Sequence, residues 1–200
     1  MNNIGIYISA FDPIHEGDLA FARSAIEQTK LDKVYFYVEP RPKNRQGVKA
    51  LEHRIHMVVL AVKSDPKLGT IVVKSQNSSP VEIAKIINKR FDGQTINVLI
   101  PDEKIGRLDH WAWLKIGDVP INLTIGLDKL TPKEVKSHIK SIESIFGTPI
   151  SSNSFQAPNP AHKATEVRRK LRLGVRPKEV SDPVYDYINV ENLYASRSSA

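Results

Sequence analysis

The chain has 200 residues, 40% of them hydrophobic, with no cysteine and a formal net charge of +7 at pH 7. That is enough apolar material for a packed core, and the missing cysteines exclude disulfides and thiolate metal sites. No run approaches the ~18 apolar residues of a membrane span, and no basic-then-apolar leader opens the chain, so a cytoplasmic protein is expected.

The first apolar run, Ile4 to Ile8, predicts a strand. It leads through Ser9-Ala10-Phe11-Asp12-Pro13-Ile14-His15-Glu16-Gly17-Asp18 into a helix over Leu19–Gln28. Val34–Val38 is short, β-branched and aromatic and reads as a second strand. Glu39–Val48 is a loop rich in Pro, Lys and Arg. Leu51–Lys63 carries Ile55, Val58, Val59 and Val62 at helical spacing. A third strand is expected at Thr70–Val73, a helix at Pro80–Arg90 and a fourth strand at Ile96–Ile100. Both tryptophans fall in Asp109–Ile116, read as a short helix. Ile121–Ile125 is a fifth strand, Pro132–Phe146 a helix and Pro149–Ser152 a last short strand. Ala164–Arg172 and Asp182–Glu191 are the closing helices, before a polar tail at Ser196–Ala200.

Strands alternating with helices imply an α/β fold: a parallel sheet with helices on both faces, in one domain over 1–195. Ligands of such sheets bind beyond the carboxyl ends of the strands, where the strand order reverses. The first strand-to-helix loop and the segment before Ala164 are the candidates for that edge.

Strand, His-x-Gly loop and helix N-terminus form a common phosphate site. His15 can donate to a phosphate oxygen, and Gly17 lets backbone approach closely. A histidine serving only the turn accounts for the same residues. Asp12 and Pro13 fix the loop, by bonding a nearby N–H and by setting φ. Thr165 is an N-cap candidate for the late helix, whose first turn and Arg168 together make an anion site. A plain capped basic helix is the alternative. His53 and His56 are spaced i, i+3 but lack a third ligand, so no protein-held metal is expected. Trp111 and Trp113 fit a core role or a stacking platform.

These segments together resemble the bacterial nicotinate (nicotinamide) mononucleotide adenylyltransferases, of the nucleotidyltransferase superfamily with a His-x-Gly-His signature. The resemblance runs from about Asn3 to Tyr194. It rests on Phe11-Asp12-Pro13-Ile14-His15-x-Gly17, on Arg54-x-x-Met57-x-x-Leu60-Ala61 and on Leu108 with Trp111. Its most specific part is Ala164-Thr165-Glu166-Val167-Arg168-x-x-Leu171, followed by Pro183-Val184-x-x-Tyr187-Ile188 and Leu193-Tyr194.

The resemblance implies a Rossmann-like nucleotidyltransferase fold and adenylyl transfer from ATP, with Mg²⁺, to a pyridine mononucleotide, with pyrophosphate released. It implies no protein base, only positioning and charge stabilisation. Ser9, Ala10, Phe11, His15, Gly17, Lys163, Ala164, Thr165 and Arg168 would bind ATP. Lys43, Arg45 and Trp111 would meet the mononucleotide. His15, Asp18 and Arg168 fall at the catalytic positions. ATP and the mononucleotide are the expected partners, a homo-oligomer is left open, and nucleic acid is the least favoured partner for Lys163–Arg176.

The departures cluster where ATP would lie. Ile8-Ser9 stands for the family's Gly-Gly, Asp18 for its second His, Pro101 for the Gly of Gly-x-Asp, with Asp102 or Glu103 as the acid, and Lys163 for the Ser of the late motif. An unpaired carboxylate ~4 Å from a phosphate costs ~4 kcal/mol at an effective dielectric near 20, roughly a thousandfold. Asp18 therefore either holds Mg²⁺, caps the first helix beside Lys163, or marks lost chemistry. Adenylyl transfer is the leading expectation. The alternatives are a nucleotide-binding member without turnover and a related transferase with another phosphorylated acceptor.

Overall fold

A computed structural model of the chain describes residues 3–42, 47–72, 86–87, 89–91, 94–110, 121–147, 149–158 and 164–195. Six strands form one sheet: β1 (Asn3–Ser9), β2 (Lys33–Val38), β3 (Leu68–Ile71), β4 (Thr95–Pro101), β5 (Ile121–Leu127) and β6 (Ser151–Gln156). Their order is β3-β2-β1-β4-β5-β6, and all five neighbouring pairs are parallel. The helices are α1 (Glu16–Thr29), α2 (Leu51–Val62), α3 (Pro132–Phe146), α4 (Ala164–Arg172) and α5 (Asp182–Val190), with a 3₁₀ segment at Asp102–His110.

The central strands are apolar on both faces because helices cover both. Side chains alternate along β1 and β4: Tyr7 and Leu99 enter one core, whereas Ile4, Ile6, Val98 and Ile100 enter the other. The first core also holds Phe21 and Ala22 of α1, Met57 and Val58 of α2, Val167 of α4 and Val184 of α5. The second takes Val135, Ile139 and Ile142 from α3, and Ile105 from the 3₁₀ segment. Gly126 in β5 is required by this packing: a Cβ there would stand 2.3 Å from Phe21 Cε2, closer than any contact allows.

Two strand expectations shift. The third strand is Leu68–Ile71, set by its register against Val34–Tyr37, so it ends before the predicted Val73, which lies outside the described residues. The last strand is Ser151–Gln156 rather than Pro149–Ser152. It pairs with Asn122–Leu127 at the sheet edge. Only Phe155 of β6 is buried, which is why an apolar pattern never announced it. Asp109 and His110 close the 3₁₀ segment; the tryptophan segment beyond them, and most of the Pro80–Arg90 helix, lie outside the described residues.

α3 begins as its sequence prescribes: Thr131 and Glu134 form a reciprocal capping box, Pro132 opens the helix and Gly147 ends it in the left-handed region. β1 and β4 are the point where the sheet order reverses. Their carboxyl ends face one opening.

Candidate active site

A cleft of ≈ 950 Å³ lies at that opening, a volume in the range of sites that bury a small ligand. Its walls come from the β1–α1 loop, the ends of β4 and β5, and the start of α4.

The β1–α1 loop is nearly all buried, with Ala10, Phe11, Asp12 and Ile14 under 4% exposed. His15, not Asp18, is the N-cap of α1. Its Nδ1 accepts from the Asp18 N–H at 3.3 Å, and Asp18 Oδ2 accepts from the His15 N–H at 3.1 Å. Asp18 thus closes a capping box from the third helical position, which corrects the expectation that it caps α1 itself. Its other oxygen accepts from the Tyr7 hydroxyl at 3.4 Å. The His15 ring also lies 3.3 Å from Asp18 Oδ2. An Nδ1 that accepts from the N–H is unprotonated; the ion pair forms only in the imidazolium. Burial pushes the Asp18 carboxyl above its ordinary value, and His15, the His15 N–H, Lys104 and Tyr7 only partly counter it. Lys163, expected beside it, lies outside the described residues; among the described cations, Lys104 acts on Asp18 and lines the same cleft.

Arg54 holds this loop from behind. It is 1% exposed, and it donates to four carbonyls: Ala10 at 2.8 Å, Glu39 at 2.8 Å, Pro40 at 3.1 Å and Lys49 at 2.9 Å. One planar fork therefore ties the ends of β1 and β2 to the start of α2. Burial lowers its pKa, and the charges of Asp12, Tyr194, Glu39 and Glu52 pull the other way. Sequence reasoning left Arg54 as a motif position only. The available signal was its place on the buried stripe of α2, one turn from Leu51, Met57 and Val58.

From the far end of the chain, Arg168 Nη1 donates to the Asp12 carbonyl at 2.6 Å and Nη2 to Thr165 Oγ1 at 3.4 Å. Ala164, Thr165 and Arg168 line the cleft with Ser9, Phe11 and His15. So do Gly17 and Asp18, while Ala10 sits behind the wall and meets Arg54. Thr165 is not the N-cap: α4 already begins at Ala164, so the threonine lies in its first turn. Its hydroxyl accepts from Arg168 instead.

On the opposite wall, Asp102 is 2% exposed, and its Oδ2 accepts from the Asp128, Lys129 and Leu130 N–H groups at 2.7–2.8 Å. Burial raises its pKa, but these bonds, with that from the Glu103 N–H, outweigh burial and lower it. Of the two acids expected after β4, Asp102 is thus consumed in holding the loop after β5. Glu103 lines the cleft. The basic run from α4 into the following loop is largely engaged: Arg169 pairs with Glu166, Lys170 with Glu179, and Arg176 with Asp182. His53 and His56 meet Tyr187 of α5, by a 2.8 Å hydrogen bond and a 4.3 Å ring stack.

Lys43, Arg45 and Trp111 lie outside the described residues. Among those described, no three His, Asp or Glu side chains are grouped to hold a metal ion, and no helix is long and apolar enough to cross a membrane.

The cytidylyltransferase-like family model matches residues 6–122, more than half of the chain. The nicotinate-nucleotide adenylyltransferase of Bacillus subtilis (strain 168) is 24% identical over 203 residues, covering 98% of this chain and 100% of that protein. A probable nicotinate-nucleotide adenylyltransferase of Bordetella petrii is 33% identical over 190 residues, covering 90% and 83%. Among solved structures, Plasmodium falciparum nicotinic acid mononucleotide adenylyltransferase complexed with NaAD shares the fold. Its TM-score is 0.73 at 14% identity, with 97% of this chain and 98% of that one covered.

Proposed function

The chain belongs to the cytidylyltransferase-like family and, within it, to the nicotinate-nucleotide adenylyltransferases, and on that premise we propose that it transfers the adenylyl group of ATP to nicotinate mononucleotide. A phosphate oxygen of the mononucleotide bonds to the α-phosphorus of ATP as the bond to the β-phosphate oxygen breaks. Pyrophosphate leaves and a dinucleotide forms. The observation that carries this reading is the 2.6 Å bond from Arg168 to the Asp12 carbonyl. It brings two motifs 156 residues apart to one cleft at the sheet's reversal point.

In this reading the protein aligns two anionic groups and offsets their charge, with no side chain acting as base. His15 donates through its ring to the phosphates, and Arg168 supplies a fixed cation. Ser9, Phe11, Gly17 and the first turn of α4 at Ala164 and Thr165 take ATP, joined by Lys163. Lys43, Arg45 and Trp111 take the mononucleotide. Asp18 orients His15 through the capping box rather than facing the phosphates as a bare charge. With Asp102 saturated by backbone N–H groups and no ligand cluster among the described residues, the donor set fits a Mg²⁺ that arrives on the nucleotide phosphates. When bound, that ion neutralises phosphate charge.

The test is pyrophosphate release from ATP and Mg²⁺ with nicotinate mononucleotide or its amide, the dinucleotide being followed in parallel. Product is expected, with the acid preferred. ATP that raises the melting temperature while no product forms would replace this reading with a binding-only member, which the Asp18 substitution favours.

A further inference from the structure

We propose that Tyr194, near the end of the chain, is a positioning residue for the ATP side of the cleft, acting through the Asp12 carboxylate. The inference rests on the adenylyl-transfer reading for what the cleft binds, but its geometry stands apart from it.

The Tyr194 hydroxyl donates to Asp12 Oδ1 at 2.5 Å across 182 residues of sequence. Both residues are buried, Tyr194 at 4% and Asp12 at 3% exposure. The same carboxylate oxygen accepts from the Lys49 N–H at 3.3 Å, and the Lys49 ammonium sits 5.2 Å from the Tyr194 ring centroid. The Asp12 carbonyl is the atom that Arg168 grips. Asp12 is therefore a junction of the first loop, the start of α2, the late helix and the chain's last turn. Among the described residues, Tyr194 is what joins the last of these to it.

The tail is built to deliver that hydroxyl. Tyr194 adopts φ 64°, in the left-handed region that a bulky residue avoids unless neighbours hold it there. They do: the Leu193 N–H donates to the Ile188 carbonyl at 2.9 Å, Leu193 is 8% exposed, and Tyr194 packs in the core shared with α5. Burial first, then the Asp12 carboxylate, push the phenol's pKa up. The group therefore remains a donor at working pH. A tail that merely plugged the core would need the ring but not the hydroxyl.

Tyr194→Phe keeps the ring and removes the donor. The measurements are binding of a non-hydrolysable ATP analogue by calorimetry, KM for each substrate, kcat and Tm. The analogue Kd and KM for ATP are expected to rise about tenfold, the effect of a loosened Asp12 on the loop and Arg168 that it positions. KM for the mononucleotide should stay within about twofold and Tm fall by about 2–4 °C. Combined with Arg168→Lys, which keeps the cation but loses its grip on the Asp12 carbonyl, Tyr194→Phe should add little to the analogue Kd, because Asp12 then no longer positions the cation. A lowered Tm with unchanged analogue Kd would make the hydroxyl a structural strut only and overturn the proposal, as would independent effects in the double variant. A chain that yields no dinucleotide yet loses analogue affinity with Tyr194→Phe would overturn the transfer reading and leave this one standing. Turnover with analogue binding indifferent to Tyr194→Phe would do the reverse.

Discussion

Asp18, in the first turn of α1, and Asp102, just after β4, line the same cleft, and their environments drive them in opposite directions. Asp102 receives three N–H groups on one oxygen, so its charge is held more firmly than in water. Asp18 receives one N–H and a long contact from Tyr7, so burial dominates and the charged form is disfavoured. The number of backbone donors, not burial, separates an anchor from a residue left with capacity to act. Asp12 has one backbone donor, the Lys49 N–H, but its tyrosine hydroxyl stands at 2.5 Å where that of Asp18 stands at 3.4 Å.

The largest effect should come from removing the anchor. Asp102→Ala leaves three part-buried N–H groups without their buried acceptor and should cost about 2–3 kcal/mol in urea unfolding. Asp18→Asn can still accept from the His15 N–H and should stay within about 1 kcal/mol. Equal losses would break the comparison. His15→Ala and Arg168→Ala should each lower kcat/KM by about 100- to 1,000-fold, with far smaller changes in unfolding free energy. A proportionate loss of stability would place either one among the anchors.

Asp18→Asn should leave kcat/KM for ATP within about twofold, since the amide oxygen can still accept from the His15 N–H and keep that ring in place. A fall instead would show that the carboxylate itself is used. The titrations should run opposite ways as well. For Asp18, whose folded pKa is raised, the stabilising contribution is complete below the ordinary value of 3.8 and is lost as pH rises through the folded value. For Asp102, whose folded pKa is lowered, the contribution is present above 3.8 and is lost as pH falls through the folded value. Unfolding free energies of the protein and of each Asn variant, followed from pH 3 to about pH 7, should diverge with opposite slopes. The smallest effect belongs to Arg169→Ala: an exposed helix pair with Glu166 is lost, and neither turnover nor Tm should change.

Much of the fold was legible because its signals are local. Apolar β-branched runs, the helix expected over Pro132–Phe146 and the helix-periodic stripe of α2 each follow from nearest neighbours along the chain. The last strand, expected at Pro149–Ser152, lies at Ser151–Gln156, because an edge strand of Ser, Asn and Gln with one buried side chain gives no apolar pattern to fix its bounds. Of the candidate site, His15, Gly17, Thr165 and Arg168 were marked by motif position, and the cleft they line was foreseen as a sheet-edge site. Arg54 and Tyr194 were not foreseen as organisers. Most of their partners are carbonyls and a carboxylate 14 to 182 residues away, and no spacing rule reaches that far.

By itself, then, the sequence determined the alternation of strands and helices, the parallel sheet that alternation requires, and the residue types at both ends of one cleft. Those are consequences of period, propensity and backbone reach. Only the tertiary structure decided which charges are spent. It turned Asp102 inward to three N–H groups, gave the cap of α1 to His15, and closed the first loop with Arg54 from α2 and Tyr194 from the tail. The reason is that a buried charge is settled by the donors the fold brings within about 3 Å of it, and those donors are distant in the chain.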